Sequence, residues 1–174
     1  MKIEIIPLLI SLIPSLFITL LAFFYFKTHT DNEEKRRRYL LHRENQKQAL
    51  PLRLQAYERM ALFMERISPG KLLLRTPPVD NDKKSYESLL VSTIEQEFDH
   101  NLTQQIYISD ECWNMIKTAK NGTIALIRKS VLNGEVDSAN KMREFILTEV
   151  VEKGAPSDKA LSAIKSEVED LFSI

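Results

Sequence analysis

An all-α fold, an N-terminal transmembrane helix and stalk followed by a small helical bundle, is predicted by three observations on the 174-residue sequence. Residues 5–26, IIPLLISLIPSLFITLLAFFYF, carry no charged side chain. At about 1.5 Å per residue a helix of that length covers roughly 33 Å, enough for a hydrocarbon core of about 30 Å. Beyond it, apolar residues recur at three- and four-residue spacing in successive segments, the period of one buried helix face. No segment sustains the two-residue alternation of a half-buried strand.

The opening run differs from a cleaved leader. Lys2 is the one basic residue ahead of it, and it ends in Phe23, Phe24, Tyr25, Phe26 and Lys27 with no small-x-small site, so residues 1–27 are expected to stay as an anchor. Ser11, Ser15 and Thr19 recur every four residues and Ala22 extends the stripe. Small side chains on one face let a second membrane helix approach closely. Hydroxyls at this spacing can equally bond back to carbonyls of their own helix, and both alternatives fit the pattern.

Residues 28–49 follow as a basic helical stalk, free of Gly and Pro and dense in helix formers. Residues 27–53 hold eight Lys or Arg against four acids, whereas residues 54–174 hold fifteen against nineteen. The basic excess after the run places the N-terminus outside and the C-terminal part in the cytoplasm. Lys35, Arg36, Arg37 and Arg38 either contact anionic lipid or serve topology alone. A neutral chain with an acidic distal half lacks the basic footprint that nucleic acid requires. Cys112 is the single cysteine, which excludes an intrachain disulfide and a cysteine-rich metal site.

Pro51 is expected to kink or restart the helix, and residues 50–174 to form one cytoplasmic helical bundle. Leu50, Leu54, Tyr57, Ala61 and Met64 make one stripe, and Ala56, Met60, Phe63 and Ile67 a second. Together they form a face broad enough for more than one neighbour, and Tyr57, Met60, Phe63, Met64 and Ile67 are its candidate docking surface. Ser68, Pro69 and Gly70 end this helix. Residues 71–82 predict an ordered loop with Leu72, Leu73 and Leu74 as an apolar plug. A helix from about Ser85 presents Tyr86, Leu90, Ile94, Phe98 and Leu102, and residues 103–108 fit either its continuation or an extended link.

Ser109 caps the next helix, with acids in its first turn. Trp113, Ile116, Ile124, Ile127 and Val131 face inward, and Asn133 and Gly134 stop it. Residues 138–152 predict a helix burying Met142, Phe145, Ile146 and Val150, ended by Gly154 and Pro156. Ser157 then caps a last helix with Leu161, Ile164, Val168 and Leu171 on one side.

The segments LPLRLQAYER (50–59), EFDHNLTQQ (97–105) and SDExW (109–113) resemble a family of uncharacterised, single-pass membrane-anchored helical proteins from Bacteroidota. The resemblance spans most of the chain after the stalk. It implies the bacterial inner membrane and supplies no activity, cofactor or catalytic residue.

Little in the residues themselves points to catalysis. Glu97 and His100 sit one helical turn apart, half of a di-iron constellation, but His29 and His42 belong to no Glu-x-x-His spacing, so no metal or other cofactor is expected. Asp110 and Glu111 oppose activation of Cys112. Gly70, Gly122, Gly134 and Gly154 each stand alone, outside any phosphate-cradling loop. The expected function is therefore non-enzymatic: a membrane-anchored interaction or scaffold protein that docks another membrane or cytoplasmic protein, or a second copy of itself. The alternative is a membrane-associated enzyme or lipid-handling protein with a site near Glu97, His100 and Tyr107. A concave pocket gathering those three groups would favour the alternative.

Overall fold

The computed structural model describes the backbone of residues 5–173 and the side chains of residues 12, 14–30, 32–44 and 47–173. Helix follows helix: α1 (Ile5–Ile67), α2 (Pro69–Arg75), α3 (Lys83–Asn101), α4 (Asp110–Leu132), α5 (Ala139–Lys153) and α6 (Pro156–Phe172), with a 3-10 turn over Leu102–Ile106. No strand occurs among the described residues. The chain divides into two compact units, Met1–Ala49 and Leu50–Ile174.

In the first unit the described large apolar side chains are exposed. Leu12, Leu16, Phe17, Ile18, Leu20, Leu21 and Phe23, Phe24, Tyr25 and Phe26 are all 49–68% exposed. Farther on, Arg36 pairs with Glu33 at 3.9 Å and Arg38 with Glu34 at 3.4 Å. Exposed pairs of this kind add little stability.

The second unit begins with a departure from expectation, because helical backbone runs through Pro51 to Ile67. Proline forfeits one amide bond and crowds the preceding turn, but residues 56–67 bury six large side chains or alanine at 0–1% exposure, which holds this end of the helix. The break at Ser68 is equally brief. Ser68 N–H reaches the Met64 carbonyl at 3.0 Å, and Pro69 opens α2 in its first turn, where a missing N–H costs no helical bond. The segment expected to be a loop from residue 71 is thus helical as far as Arg75. Leu72 and Leu73 are its buried plug, whereas Leu74 is 80% exposed. The Tyr86 hydroxyl donates to the Thr76 carbonyl at 2.8 Å and ties the following turn to α3.

The core forms around α4, which packs on α3, α5 and α6, while α5 also meets α2 and α3. Four-residue spacing on α3 buries Tyr86, Leu90, Ile94 and Phe98; Leu102, next in the series, is 41% exposed because the backbone there has tightened into the 3-10 turn. Trp113, Ile116, Ile124 and Ile127 of α4 and Met142 and Ile146 of α5 are buried as their spacing requires. Phe98 is central: its ring lies 5.7 Å from Phe63 and stacks at 5.4 Å on Trp113. Lys120 Nζ sits 4.5 Å above the Phe98 ring and 2.7 Å from Glu95, a cation held by a π face and a carboxylate together.

Side chains cap the helices where the chain turns. Asp82 accepts from Ser85 N–H at 2.8 Å, and Ser85 and Asp82 hold the start of α3 two residues before the expected one. Ser109 and Ser138 accept from Cys112 and Lys141 N–H, satisfying donors that a helix start leaves open. At α6 the expectation fails. Ser157 is no cap: the Ala155 N–H donates to Asp158 Oδ2 at 3.2 Å, Pro156 opens the helix, and Ser157 is wholly buried in its first turn. Its hydroxyl has no hydrogen-bond partner among the described residues. Pro156 also presses on α4 so closely that a Cβ at Gly122 would lie 3.2 Å from the proline Cβ.

The candidate docking surface requires correction. Tyr57, Met60, Phe63, Met64 and Ile67 are 0–1% exposed and belong to the core. Their breadth is taken up by the chain itself, Phe63 against Phe98 of α3 and Tyr57 against Glu167 of α6.

In residues 50–174, Trp113→Ala should cost about 3–5 kcal/mol, as for a large aromatic removed from a core. Urea unfolding measures it, and a loss below about 1 kcal/mol would show the stack to be dispensable. Ser157→Ala should act oppositely, raising stability by about 1 kcal/mol through removal of a buried hydroxyl without a partner; a loss would mean that the hydroxyl is satisfied in solution.

Candidate functional site

The three groups named from sequence are not gathered into a site. Glu97 is held between Arg66 at 2.6 Å and Arg75 at 3.4 Å, joining the ends of α1 and α2 to α3. It edges a groove lined by Gln55, Glu58, Arg59, Leu62, Phe63, Arg66 and Asn101, which neither His100 nor Tyr107 lines. His100 is exposed in the last turn of α3, and Tyr107 follows the 3-10 turn at 37% exposure. No group of three or more His, Cys, Asp or Glu able to hold a metal ion occurs among the described residues.

A different polar cluster does converge. Tyr57 Oη donates to Glu167 Oε2 at 2.6 Å, and Ser109 Oγ donates to Glu167 Oε1. Ser109 Oγ in turn accepts the Cys112 N–H at 3.1 Å, so one carboxylate joins α1, α6 and the cap of α4. Both carboxylate oxygens are engaged by the chain's own hydroxyls, which makes the cluster a latch rather than an open site. Burial, with the Glu167 hydrogen bond, pushes the Tyr57 phenol above its usual value against the opposing effect of Arg53. Burial also pushes the Cys112 thiol up to about 12, with Glu167 and Glu111 adding to it. A thiol in that state is protonated at neutral pH and inert as a nucleophile. Glu167 escaped the sequence reasoning although it stands between Ile164 and Val168, the one carboxylate set within the inward stripe of α6.

The first unit carries the remaining candidates. The side chain of Ser11 lies outside the described residues. Ser15 Oγ donates to the Leu12 carbonyl and Thr19 Oγ1 to the Ser15 carbonyl, each at 2.8 Å. Both hydroxyls therefore bond back to their own helix, and with exposed Ala22 they present a face of small, satisfied side chains. Lys35, Arg36, Arg37 and Arg38 are all exposed. Among the described residues no helix is long and apolar enough to cross a membrane; the uncharged run begins at residue 5, in side chains outside that set.

Two uneven parts thus make up the molecule: a helix with exposed apolar side chains, and a bundle whose polar groups are spent on holding helices together. A family model matches residues 3–171, and the chain belongs to that family, the family of unknown function DUF7935. The resemblance carried by residues 50–59, 97–105 and 109–113 is upheld at this level, as kinship with proteins to which no activity is attached. No curated protein and no solved structure matches the chain.

The latch can be weighed by a double-mutant cycle. Tyr57→Phe and Ser109→Ala should each destabilise residues 50–174 by about 1 kcal/mol, and the double variant should differ from the sum by more than about 0.5 kcal/mol because both act on one carboxylate. Strict additivity in urea titrations would show two independent bonds instead.

Proposed function

We propose that the chain is a non-enzymatic interaction protein of the bacterial inner membrane, a helical bundle tethered by residues 1–27 that docks another membrane or cytoplasmic protein. The observation that carries this is the exposure of large apolar side chains on every side of one helix. Leu16, Phe17 and Ile18 are consecutive, hence about 100° apart around the axis, and each is 64–65% exposed. A helix apolar all round must be covered. A single protein partner covers one face, whereas lipid covers them all. The uncharged length of residues 5–26, the aromatic cluster at Phe23 to Phe26 and the basic residues that follow support the same environment, with the N-terminus outside and the bundle in the cytoplasm. Family proteins of Bacteroidota with such anchors would share this placement.

Binding, rather than catalysis, is supported by the state of the bundle's polar groups. Glu97 is neutralised by two arginines, both Glu167 oxygens are occupied, and Cys112 is a protonated, buried thiol. Against an enzyme or lipid-handling site at Glu97, His100 and Tyr107 stands the groove beside Glu97, which neither of the other two groups lines.

Expressed in a bacterial host, the full chain should stay with membranes through alkaline carbonate and float with vesicles, while a chain lacking residues 1–27 should be released. A reporter fused at the C-terminus should read cytoplasmic. Carbonate extraction of the full chain would overturn the anchor, and a periplasmic reporter the orientation.

A further inference from the structure

Resting on the membrane-anchored placement, we infer that Lys35, Arg36, Arg37 and Arg38 form a collar that binds the phosphate of anionic lipid headgroups. The four residues are consecutive on α1, so successive side chains leave the helix at about 100° intervals and point to all sides. All four are exposed. A protein groove or a nucleic-acid strand would engage one side of a helix; a headgroup layer pierced by the helix meets every side. The collar also stands at a workable depth. Lys35 follows Phe26 by nine residues, about 13 Å along the axis, and helical side chains lean toward the N-terminus, which here is the direction of the lipid. Long basic side chains shorten the gap to a distance comparable with the Debye length of about 8 Å.

Among the described residues two acids compete for the collar. Glu33 faces Arg36 at 3.9 Å and Glu34 faces Arg38 at 3.4 Å, with side chains 60–82% exposed. Pairs so open to water are weak, whereas a guanidinium grips a phosphate through two parallel hydrogen bonds. Arg37 has no ion-pair partner among the described residues. The acids therefore limit lipid selectivity without abolishing it, and the collar's preference is set by the exchange of Glu33 and Glu34 for phosphate.

The full chain would be inserted into vesicles of equal phosphatidylglycerol and phosphatidylcholine, extracted in mild detergent, and its retained lipids counted by mass spectrometry. The wild type should keep phosphatidylglycerol in about threefold to fivefold excess, on the order expected of a few screened basic residues. The triple variant Arg36→Gln, Arg37→Gln, Arg38→Gln should fall to near parity, and Glu33→Gln with Glu34→Gln should rise above wild type. Inorganic phosphate at constant ionic strength should leave the excess unchanged, since the collar's partner is the headgroup layer; its displacement of the lipid would overturn that assignment. Equal lipid retention by inserted wild type and arginine variant would overturn the collar while leaving the anchor intact. A chain that fails to insert would remove both.

Discussion

The breadth of the apolar face on residues 56–67 is the constraint on which the rest of the bundle depends. Two adjacent stripes on one helix cannot be covered by a single neighbour, and the chain answers with α3 and α6. Leu72 and Leu73 are buried on the short α2, Phe98 of α3 meets Phe63, and Glu167 of α6 receives the Tyr57 hydroxyl. Trp113 of the central α4 stacks on Phe98 in turn, and Ile116 is buried on the same helix. A face that would otherwise invite a partner becomes the interior, and any partner must use other parts of the surface.

Polar groups in the bundle are arranged to bind helices to one another. Glu97 draws Arg66 and Arg75 together, Glu167 collects two hydroxyls, Glu95 steadies Lys120 over Phe98, and Glu149 accepts from both Lys129 and Lys153. Those two lysines hold the Glu149 carboxyl below the usual carboxylate range. Each carboxylate thus has cationic or hydroxyl partners supplied by a neighbouring element, the arrangement that makes a half-buried charge tolerable.

The N-terminal helix obeys the opposite rule. Its apolar side chains remain exposed around the axis, and its hydroxyls at Ser15 and Thr19 bond inward to their own carbonyls. The polarity of these two side chains is satisfied within the helix, and between them and Phe26 the other exposed side chains are hydrocarbon and aromatic rings. A small-residue face at Ser15, Thr19 and Ala22 survives this internal bonding, so close helix approach there does not depend on hydroxyls reaching across.

Much of this was legible along the chain, because periodicity and capping act over three or four residues. The all-helical class, the stops at Gly134 and Gly154, the cap at Ser109, and the inward positions Tyr86, Leu90, Ile94, Phe98, Trp113, Ile116, Met142, Ile146 and Ile164 follow from spacing and local hydrogen bonding. Tertiary structure alone decided the outcomes that depend on distant partners. Local chemistry at Pro51 argues for a break, yet burial of the residues beyond it keeps the helix. Leu72 and Leu73 belong to a helix too short to stand by itself in water. Whether the face of residues 57–67 was core or docking surface depended on how much apolar surface the rest of the chain could bring to it. Glu167 became a latch only because Tyr57 and Ser109, 110 and 58 residues away in sequence, meet its two oxygens in the folded state.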